Sequence, residues 1–270
     1  MRRDIATLLF AALVTSVPSV AQAVDVWDQA TVHDDTAAST KNVLWHTAPA
    51  QVHDLKSQKS AADQDWFRIY PRAMRSYEVQ IVNVTGDTDT GVNGIRRYAA
   101  DGTTLLQTGV PLDEGAWMST LRWIHGSRGS AEFLQVMADS LNTSSASQYS
   151  IQLRESTLYC ARYNNSATQV SVLLIQRTDP DNSNTCSYEV RYNSPAGLEV
   201  GSSTGTLAAV SGGNALNVIA TAAEPGVAGS SGSAFIAHSC GFGGINAKMV
   251  QLEPATGFSF DTPCVTRPTN

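Results

Sequence analysis

The sequence predicts an all-β protein made of two tandem antiparallel β-sandwich domains, jelly-roll-like or immunoglobulin-like, that follow a signal peptide. Three observations support this prediction: apolar and polar residues alternate along most of the chain, turn residues recur between the alternating segments, and helical periodicity is almost absent. The 270 residues are 42% hydrophobic and 16% charged. That composition fits one large or two ordinary globular domains, and it excludes collagen, a coiled coil and a wholly disordered chain.

Residues 1–23 have the three parts of a secretory signal peptide. Met1-Arg2-Arg3 is basic, Ile5–Val17 is an apolar stretch, and Ala21-Gln22-Ala23 is a small-x-small cleavage site. We therefore expect the mature chain to begin at Val24. No run of 18 apolar residues follows, so we expect a secreted or periplasmic bacterial protein without membrane insertion after cleavage.

The charge pattern bears on the class of partner. The formal net charge is −6, and the sequence contains no block of Lys or Arg. Nucleic acids and anionic membrane surfaces are bound through basic patches, so we expect neither of them as the partner.

The strand patterns fall into two sets that meet between Arg154 and Thr157. This boundary predicts domains at residues 24–155 and 156–270, and we expect limited proteolysis near Arg154 to separate them. The best helix candidate, Thr36–Asn42, is short. The strands predicted before the boundary are Val43–His46, Trp66–Tyr70, Tyr77–Thr85, Gly94–Tyr98, Thr103–Gln107, Trp117–Trp123, Glu132–Ala138 and Gln148–Arg154. Those predicted after it are Leu158–Tyr163, Val170–Gln176, Ser187–Tyr192, Leu198–Val200, Leu216–Thr221, Ser233–His238, Ala247–Leu252 and Phe258–Thr262.

The first set carries a family resemblance over about residues 30–155. It resembles the bacterial pre-peptidase C-terminal domain through these stretches, in this order: Ala62–Ile69 (ADQDWFRI), Tyr77–Ile81 (YEVQI), Val84–Asp87 (VTGD), Tyr98–Leu105 (YAADGTTL) and Gln148–Arg154 (QYSIQLR). The resemblance implies a small jelly-roll-like sandwich that is appended to secreted proteases and other exported proteins and has no catalytic residues of its own. The sequence departs from the common arrangement because no protease domain precedes the sandwich.

The second set is similar to a β-sandwich module found in uncharacterised secreted bacterial proteins. Three stretches carry this resemblance: Arg162–Ser166, Gln169–Gln176 and Leu252–Pro263. The resemblance implies fold and export, and it implies no activity.

Four cysteines, Cys160, Cys186, Cys240 and Cys264, all lie after the predicted boundary. In an exported protein their even number predicts two structural disulfides, and none has the C-x-x-C spacing of a zinc site or redox centre. The predicted strand positions favour the pairs Cys160–Cys186 and Cys240–Cys264, while the nested pairs Cys160–Cys264 and Cys186–Cys240 stay open. We expect reduction to destabilise the C-terminal half and to leave residues 30–155 nearly untouched.

Two serines are candidate nucleophiles for a competing hydrolase interpretation. Ser203 is the centre of a G-x-S-x-G sequence, with Glu224 and His238 following in α/β-hydrolase order, and Ser231 lies in a G-S-S-G-S stretch similar to the Ser loop of chymotrypsin-like proteases. Neither serine has the motifs that should surround it. We therefore expect turns at both places, no catalytic residues, and no labelling by a serine-directed probe.

Acidic residues provide the candidate metal ligands. Oxygen ligands for Ca²⁺ could come from six residues: Asp34, Asp35, Asp63, Asp65, Asp87 and Asp89. The EF-hand pattern is incomplete both at Asp87-x-Asp89 and at Asp179-x-Asp181-x-Ser183. We expect solvated turn carboxylates and no bound cofactor or metal, with calcium as the open alternative.

Aromatic residues could make a binding face. Trp27, Trp45 and Trp117 lie near termini or loops, where an exposed ring could stack on a sugar or a partner protein, whereas Trp66, Phe67 and Trp123 should pack in the core. The sequence thus predicts a secreted, non-enzymatic binding or accessory protein that acts on an envelope or extracellular protein or glycan. Two alternatives remain: an exported serine hydrolase that uses Ser231 or Ser203, and a structural or adhesive surface protein.

Overall fold

A computed structural model describes residues 27, 34–55, 63–83, 90–111, 119–126, 130–138, 148–178, 185–209 and 215–266. The predicted signal peptide and the mature start at Val24 lie outside these residues. Within them the protein is all-β, as predicted, with one short 3-10 turn at Thr221–Ala223. No helix in this part of the chain is long and apolar enough to cross a membrane.

The N-terminal half, up to Glu155, forms two antiparallel sheets. Its strands, over the residues that the structure describes, are β1 (Gln51–Asp54), β2 (Gln64–Ile69), β3 (Arg75–Asn83), β4 (Thr90–Tyr98), β5 (Leu105–Thr108), β6 (Val110–Pro111), β7 (Ser119–His125), β8 (Glu132–Ala138) and β9 (Gln148–Glu155). The five-stranded sheet has the order β1-β9-β3-β7-β6, and the four-stranded sheet has the order β2-β8-β4-β5. Both sheets contribute to one apolar core that includes Phe67, Ile81, Leu134 and Ile151.

The C-terminal half, from Ser156 onward, forms one eight-stranded sheet that nearly closes on itself. Its strands are β10 (Leu158–Asn164), β11 (Val170–Arg177), β12 (Cys186–Asn193), β13 (Glu199–Leu207), β14 (Leu216–Ala220), β15 (Ser231–His238), β16 (Ile245–Glu253) and β17 (Phe258–Thr266), in the spatial order β13-β12-β15-β10-β17-β16-β11-β14. A second apolar core belongs to this half alone. The Asn217 side chain of the edge strand β14 donates a 2.9 Å hydrogen bond to the Thr206 carbonyl of the other edge strand, β13.

The C-terminal sheet is continuous, where the sequence predicted two separate sheets. The reason is that β17 has two successive partners. Its first seven residues pair with β16 as far as Cys264, and Val265 and Thr266 then pair with β10. One strand therefore joins what would otherwise be two sheets.

Local sequence patterns explain most of the strands. In β11 the residues alternate strictly between buried and half-buried, with Leu173 and Ile175 inside. The predicted Asp101-Gly102 hairpin is confirmed between β4 and β5: Asp101 Oδ1 accepts hydrogen bonds of 2.9 and 2.8 Å from the backbone N–H groups of Thr103 and Thr104, and Gly102 has φ 68°.

Three local predictions were wrong. Thr36–Asn42 makes a single turn closed by the 3.0 Å bond from Thr40 N–H to the Thr36 carbonyl. Val43–His46 provides only an isolated parallel bridge between Val43 and Arg68. The Gly/Ser segment around Ser203 lies inside strand β13, since its backbone pairs with β12 over eight residue pairs.

The two halves meet without an exposed linker. Ser156 and Thr157 are buried between β9 and β10. The Ser156 N–H donates to the Ser76 carbonyl at 2.9 Å, and the Ser76 N–H donates to Thr157 Oγ1 at 2.9 Å. Because this backbone is buried and hydrogen-bonded, cleavage near Arg154 is no longer the expected result for the native protein.

Glu78 links the two halves through its buried carboxylate. Its Oε2 accepts a 2.7 Å bond from Arg122 Nε in the N-terminal half and a 2.9 Å bond from the backbone N–H of Phe242 in the C-terminal half. Arg154 lies over the Phe242 ring, 5.1 Å from its centroid. A Cβ atom added to Gly241 would come within 2.8 Å of the Arg122 guanidinium. We call Glu78, Arg122 and Phe242 the junction cluster.

His238 makes a second buried contact between the halves, and this contact predicts a pH dependence. Its Nε2–H donates to the Ser156 carbonyl at 2.7 Å, and burial lowers the pKa of His238 to about 4 from 6.5. As the pH falls below 6.5, the unfolded chain takes up a proton before the folded one does. Protonation of His238 in the unfolded chain should therefore lower the free energy of unfolding by about 3 kcal/mol between pH 7 and pH 4.

Urea denaturation of the wild type and of His238→Gln measures this effect. The glutamine amide can still donate to Ser156 but does not titrate, so the stability difference between the two proteins should change by about 3 kcal/mol across that pH range. A constant difference would show that His238 is not buried as a neutral imidazole.

Candidate metal site

Three acidic residues come together around strand β2. Asp65 lies within the strand and Asp63 directly precedes it. Asp34 lies beside β2, because the Asp34 carbonyl accepts a 2.9 Å hydrogen bond from the N–H of Trp66. The carbonyl of Asp63 accepts a 3.0 Å bond from Ala138 N–H, at the end of β8. The backbone therefore holds carboxylates from two chain segments next to each other.

His53 of strand β1 completes the cluster. One ligand atom from each of Asp34, His53 and Asp65 lies within 4.8 Å of the others, and all three residues are buried. The imidazole of His53 packs edge-on to Phe67 at 4.9 Å and stacks on Tyr149 at 5.7 Å between ring centroids. These contacts fix the ring plane.

Asp63 has a raised pKa beside the other carboxylates. Burial first, and then the charges of Asp35, Asp34 and Asp54, raise the pKa of Asp63 to about 7. Asp63 Oδ2 is buried and has no hydrogen-bond partner among the described residues. Buried carboxylates this close to one another are costly to ionise, and a divalent cation would remove that cost.

The donor set fits particular ions. Several carboxylate oxygens suit Ca²⁺ or Mn²⁺, and the imidazole nitrogen of His53 adds a ligand that Mn²⁺ accepts readily. One oxygen of Asp65 also accepts a hydrogen bond from the Tyr149 hydroxyl, which orients the carboxylate. We name Asp34, His53 and Asp65 the Asp/His cluster. These residues have the ligand types and the proximity that a divalent cation requires.

The sequence anticipated part of this cluster. Two of the aspartates proposed as Ca²⁺ ligands, Asp34 and Asp65, belong to the group that could hold a cation. Two more, Asp35 and Asp63, interact electrostatically with each other, and Asp34 also acts on Asp63. Solvated turn carboxylates were expected, but Asp34, Asp63 and Asp65 are buried, because the 34–42 segment covers β2. The remaining candidates, Asp87, Asp89, Asp179, Asp181 and Ser183, lie outside the described residues. His53 and Asp54 were missed, since strand β1 was not predicted.

The candidate hydrolase residues lie apart from one another. Ser203 Oγ is 3.3 Å from the hydroxyl of Tyr192, while His238 Nε2 is bound to the Ser156 carbonyl. Ser231 begins strand β15 and His238 ends it, so they are separated by roughly 23 Å at the usual rise per strand residue. Within the described residues, neither serine hydrogen-bonds a histidine.

The favoured disulfide pairing was wrong, and the nested one is found. Cys160 pairs with Cys264, and Cys186 pairs with Cys240. The favoured pairing assumed a hairpin between β10 and β11, but the neighbours of β10 are β15 and β17. Strand β17 therefore brings Cys264 to Cys160, and the pairing of β12 with β15 brings Cys186 to Cys240. Two disulfides fit a protein of an oxidising compartment.

Most of the aromatic residues that the structure describes follow the prediction. Trp66, Phe67 and Trp123 are buried. Trp45 is 52% exposed, as expected. Trp27, which was also expected to be exposed, is half-buried, and Trp117 lies outside the described residues.

Comparison with known proteins adds no family to these observations. No family model matches the chain, and no curated protein matches it. The resemblance to the pre-peptidase C-terminal domain stays a prediction from the sequence.

Proposed function

We propose that the protein is an exported, non-enzymatic binding or accessory protein whose N-terminal half binds a divalent cation and whose partner is an envelope or extracellular protein or glycan. The observation that carries the cation proposal is the Asp/His cluster. Its ligands come from three separate chain segments, at Asp34, His53 and Asp65. A cation would therefore tie together the segment before β1, β1 itself and β2.

Electrostatics supports the cation proposal. Near neutral pH, Asp63 is partly ionised beside other buried carboxylates, and each added charge opposes folding. Binding of a cation to the folded chain alone stabilises it by about 2.7 kcal/mol when the ion is at 100 times its dissociation constant. Such a cation would act as a structural part of the N-terminal half.

A binding role agrees better with the site chemistry than the hydrolase alternative does. The hydroxyl of Ser203 faces Tyr192, and the imidazole of His238 is engaged by the backbone of Ser156. General-base activation of a serine needs an imidazole within hydrogen-bond reach of its hydroxyl. We therefore place the function in recognition, consistent with the accessory role that the N-terminal resemblance implies.

The cation proposal predicts a specific gain in thermal stability. Saturating Ca²⁺ or Mn²⁺ should raise the melting temperature of the wild type, and Asp34→Asn should lose most of that gain because it removes one charged ligand. Asp261→Asn is the matched control, since Asp261 is an exposed carboxylate paired with Lys248 in the other half. Differential scanning calorimetry with and without chelator measures the shifts.

A direct binding signal complements the stability measurement. Tb³⁺ is a Ca²⁺ substitute that nearby aromatic rings can sensitise, and Tyr149 and Trp66 adjoin the cluster. Terbium luminescence should appear and compete with Ca²⁺. Affinity should rise from pH 6 to pH 8, because the ion displaces the proton that Asp63 holds up to about pH 7. Absence of both the luminescence and any stabilisation would refute the cation proposal.

The binding role has its own test. The immobilised mature protein should recover a specific glycan or protein from the envelope fraction or the medium of the producing organism. Recovery of nothing above a denatured-protein control would favour the structural alternative.

A further inference from the structure

Two aromatic rings form an exposed stacked pair on the N-terminal half. The centroids of Trp45 and Tyr70 are 5.5 Å apart, and the ring planes differ by 22°. The two residues are 52% and 44% exposed, respectively. Exposed aromatic rings are costly to leave in water. A pair that is held in one orientation at the surface is therefore a candidate binding site.

The backbone fixes the position of this pair. Leu44 N–H donates to the Arg68 carbonyl at 3.0 Å, and Arg68 N–H donates to the Asn42 carbonyl at 2.8 Å. This short parallel contact brings Trp45 beside Tyr70. A further 3.0 Å bond, from Ala48 N–H to the Trp45 carbonyl, closes the turn that follows. The pair is therefore preorganised, which lowers the entropic cost of binding a ligand.

Two polar residues follow the members of the pair closely in the sequence. His46 follows Trp45 and is half-buried, with its Nε2 3.5 Å from Glu155 Oε2. Arg72 follows two residues after Tyr70, is exposed, and is fixed by a 2.8 Å bond from its backbone N–H to the Tyr77 hydroxyl. The His46 ring lies edge-on to the Tyr77 ring, 6.2 Å between centroids, so both His46 and Arg72 lie beside Tyr77. Partly exposed aromatic rings and hydrogen-bonding side chains thus lie in the same region of the N-terminal half.

We propose that Trp45 and Tyr70 form a stacking subsite for a pyranose ring of an extracellular glycan, with Arg72 and His46 beside it to hydrogen-bond the ring hydroxyls. This inference rests on the proposed binding function and names its ligand class. A pyranose ring has one apolar face of C–H groups and a rim of hydroxyls, which matches an aromatic surface with a polar border. Glu155, the acidic residue near His46, is paired with Arg75 at 3.1 Å. Its negative charge is therefore balanced, which favours a neutral sugar over a charged one.

Co-sedimentation and fluorescence titration test this subsite. The probes are insoluble peptidoglycan, chitin and cellulose, followed by soluble oligomers of N-acetylglucosamine and of glucose. The wild type should bind at least one of them with a change in tryptophan emission. Trp45→Ala and Tyr70→Ala should each weaken that binding by about tenfold or more, and Trp45→Phe should retain part of it because the ring is kept.

The matched control is Phe258→Ala, which removes a ring that is 73% exposed in the other half of the protein. It should bind like the wild type. Circular dichroism and melting temperature should show that all variants fold alike, since both rings of the pair are exposed.

The outcomes separate this inference from the proposed function. Glycan binding that survives both alanine substitutions would overturn the subsite and leave the binding role intact. Recovery of a protein partner, with no binding to any glycan probe, would also overturn the subsite alone. Failure to bind any glycan or envelope component would overturn both.

Discussion

Replacing both Cys160 and Cys264 by alanine should lower the free energy of unfolding of the C-terminal half by about 5 kcal/mol. This disulfide joins the first and last strands of that half across 104 residues, and loop-closure entropy in the unfolded chain increases with loop length. The Cys186–Cys240 bond spans 54 residues and should contribute about 4 kcal/mol. Urea denaturation of the two double variants, followed by circular dichroism, measures both contributions.

The result should also show how the two halves are coupled. Cys240 precedes Gly241 and Phe242, and the N–H of Phe242 donates to Glu78 in the other half. Removal of the Cys186–Cys240 bond should therefore loosen the junction cluster as well, contrary to the expectation from sequence that residues 30–155 stay nearly untouched. A loss below about 1 kcal/mol for either bond would contradict the loop-closure account of its contribution.

Structural features that depend on residues close together in the sequence could be predicted from it. Alternation in β11 identifies Leu173 and Ile175 as core residues, and the Asp101-Gly102 turn follows from side-chain capping and a positive φ. Glycine and serine around Ser203 suggested a turn, but pairing with β12 places them in a strand. Tertiary pairing thus outweighed local preference there.

What the sequence could not predict depends on contacts between distant segments. The aspartates were identified as hard ligands, yet their burial depends on the packing of residues 34–42 over β2. His53 gave no signal of its own, because its value as a ligand comes only from its proximity to Asp34 and Asp65. The disulfide pairing likewise required the strand order, since β17 returns to β10 across the whole C-terminal half.

Glu78→Ala should be among the most disruptive single substitutions in the N-terminal half. The side chains of Glu78 and Arg122 are 5% and 18% exposed, and their closest atoms are 2.7 Å apart. Removal of the carboxylate leaves a largely buried guanidinium without its partner and the N–H of Phe242 without its acceptor. Loss of one member of such a buried pair costs about 3–5 kcal/mol.

Two further variants identify the cause. Glu78→Gln keeps an oxygen that can accept from Phe242 but loses the charge that Arg122 requires, so it should cost less than the alanine variant. Glu189→Ala removes a carboxylate paired at 2.6 Å with Arg191 on a more exposed surface, and it should cost under about 1 kcal/mol.

Protease sensitivity should follow the same order as stability. In the wild type the residues between the halves, Ser156 and Thr157, are buried, and Glu78 of the N-terminal half binds the N–H of Phe242 in the C-terminal half. In Glu78→Ala this contact is gone, so chymotrypsin should cleave after Phe242 at concentrations that leave the wild type and Glu189→Ala intact. Equal resistance of all three proteins, with equal denaturation midpoints, would show that the halves are held together by the buried backbone at Ser156 and not by the junction cluster.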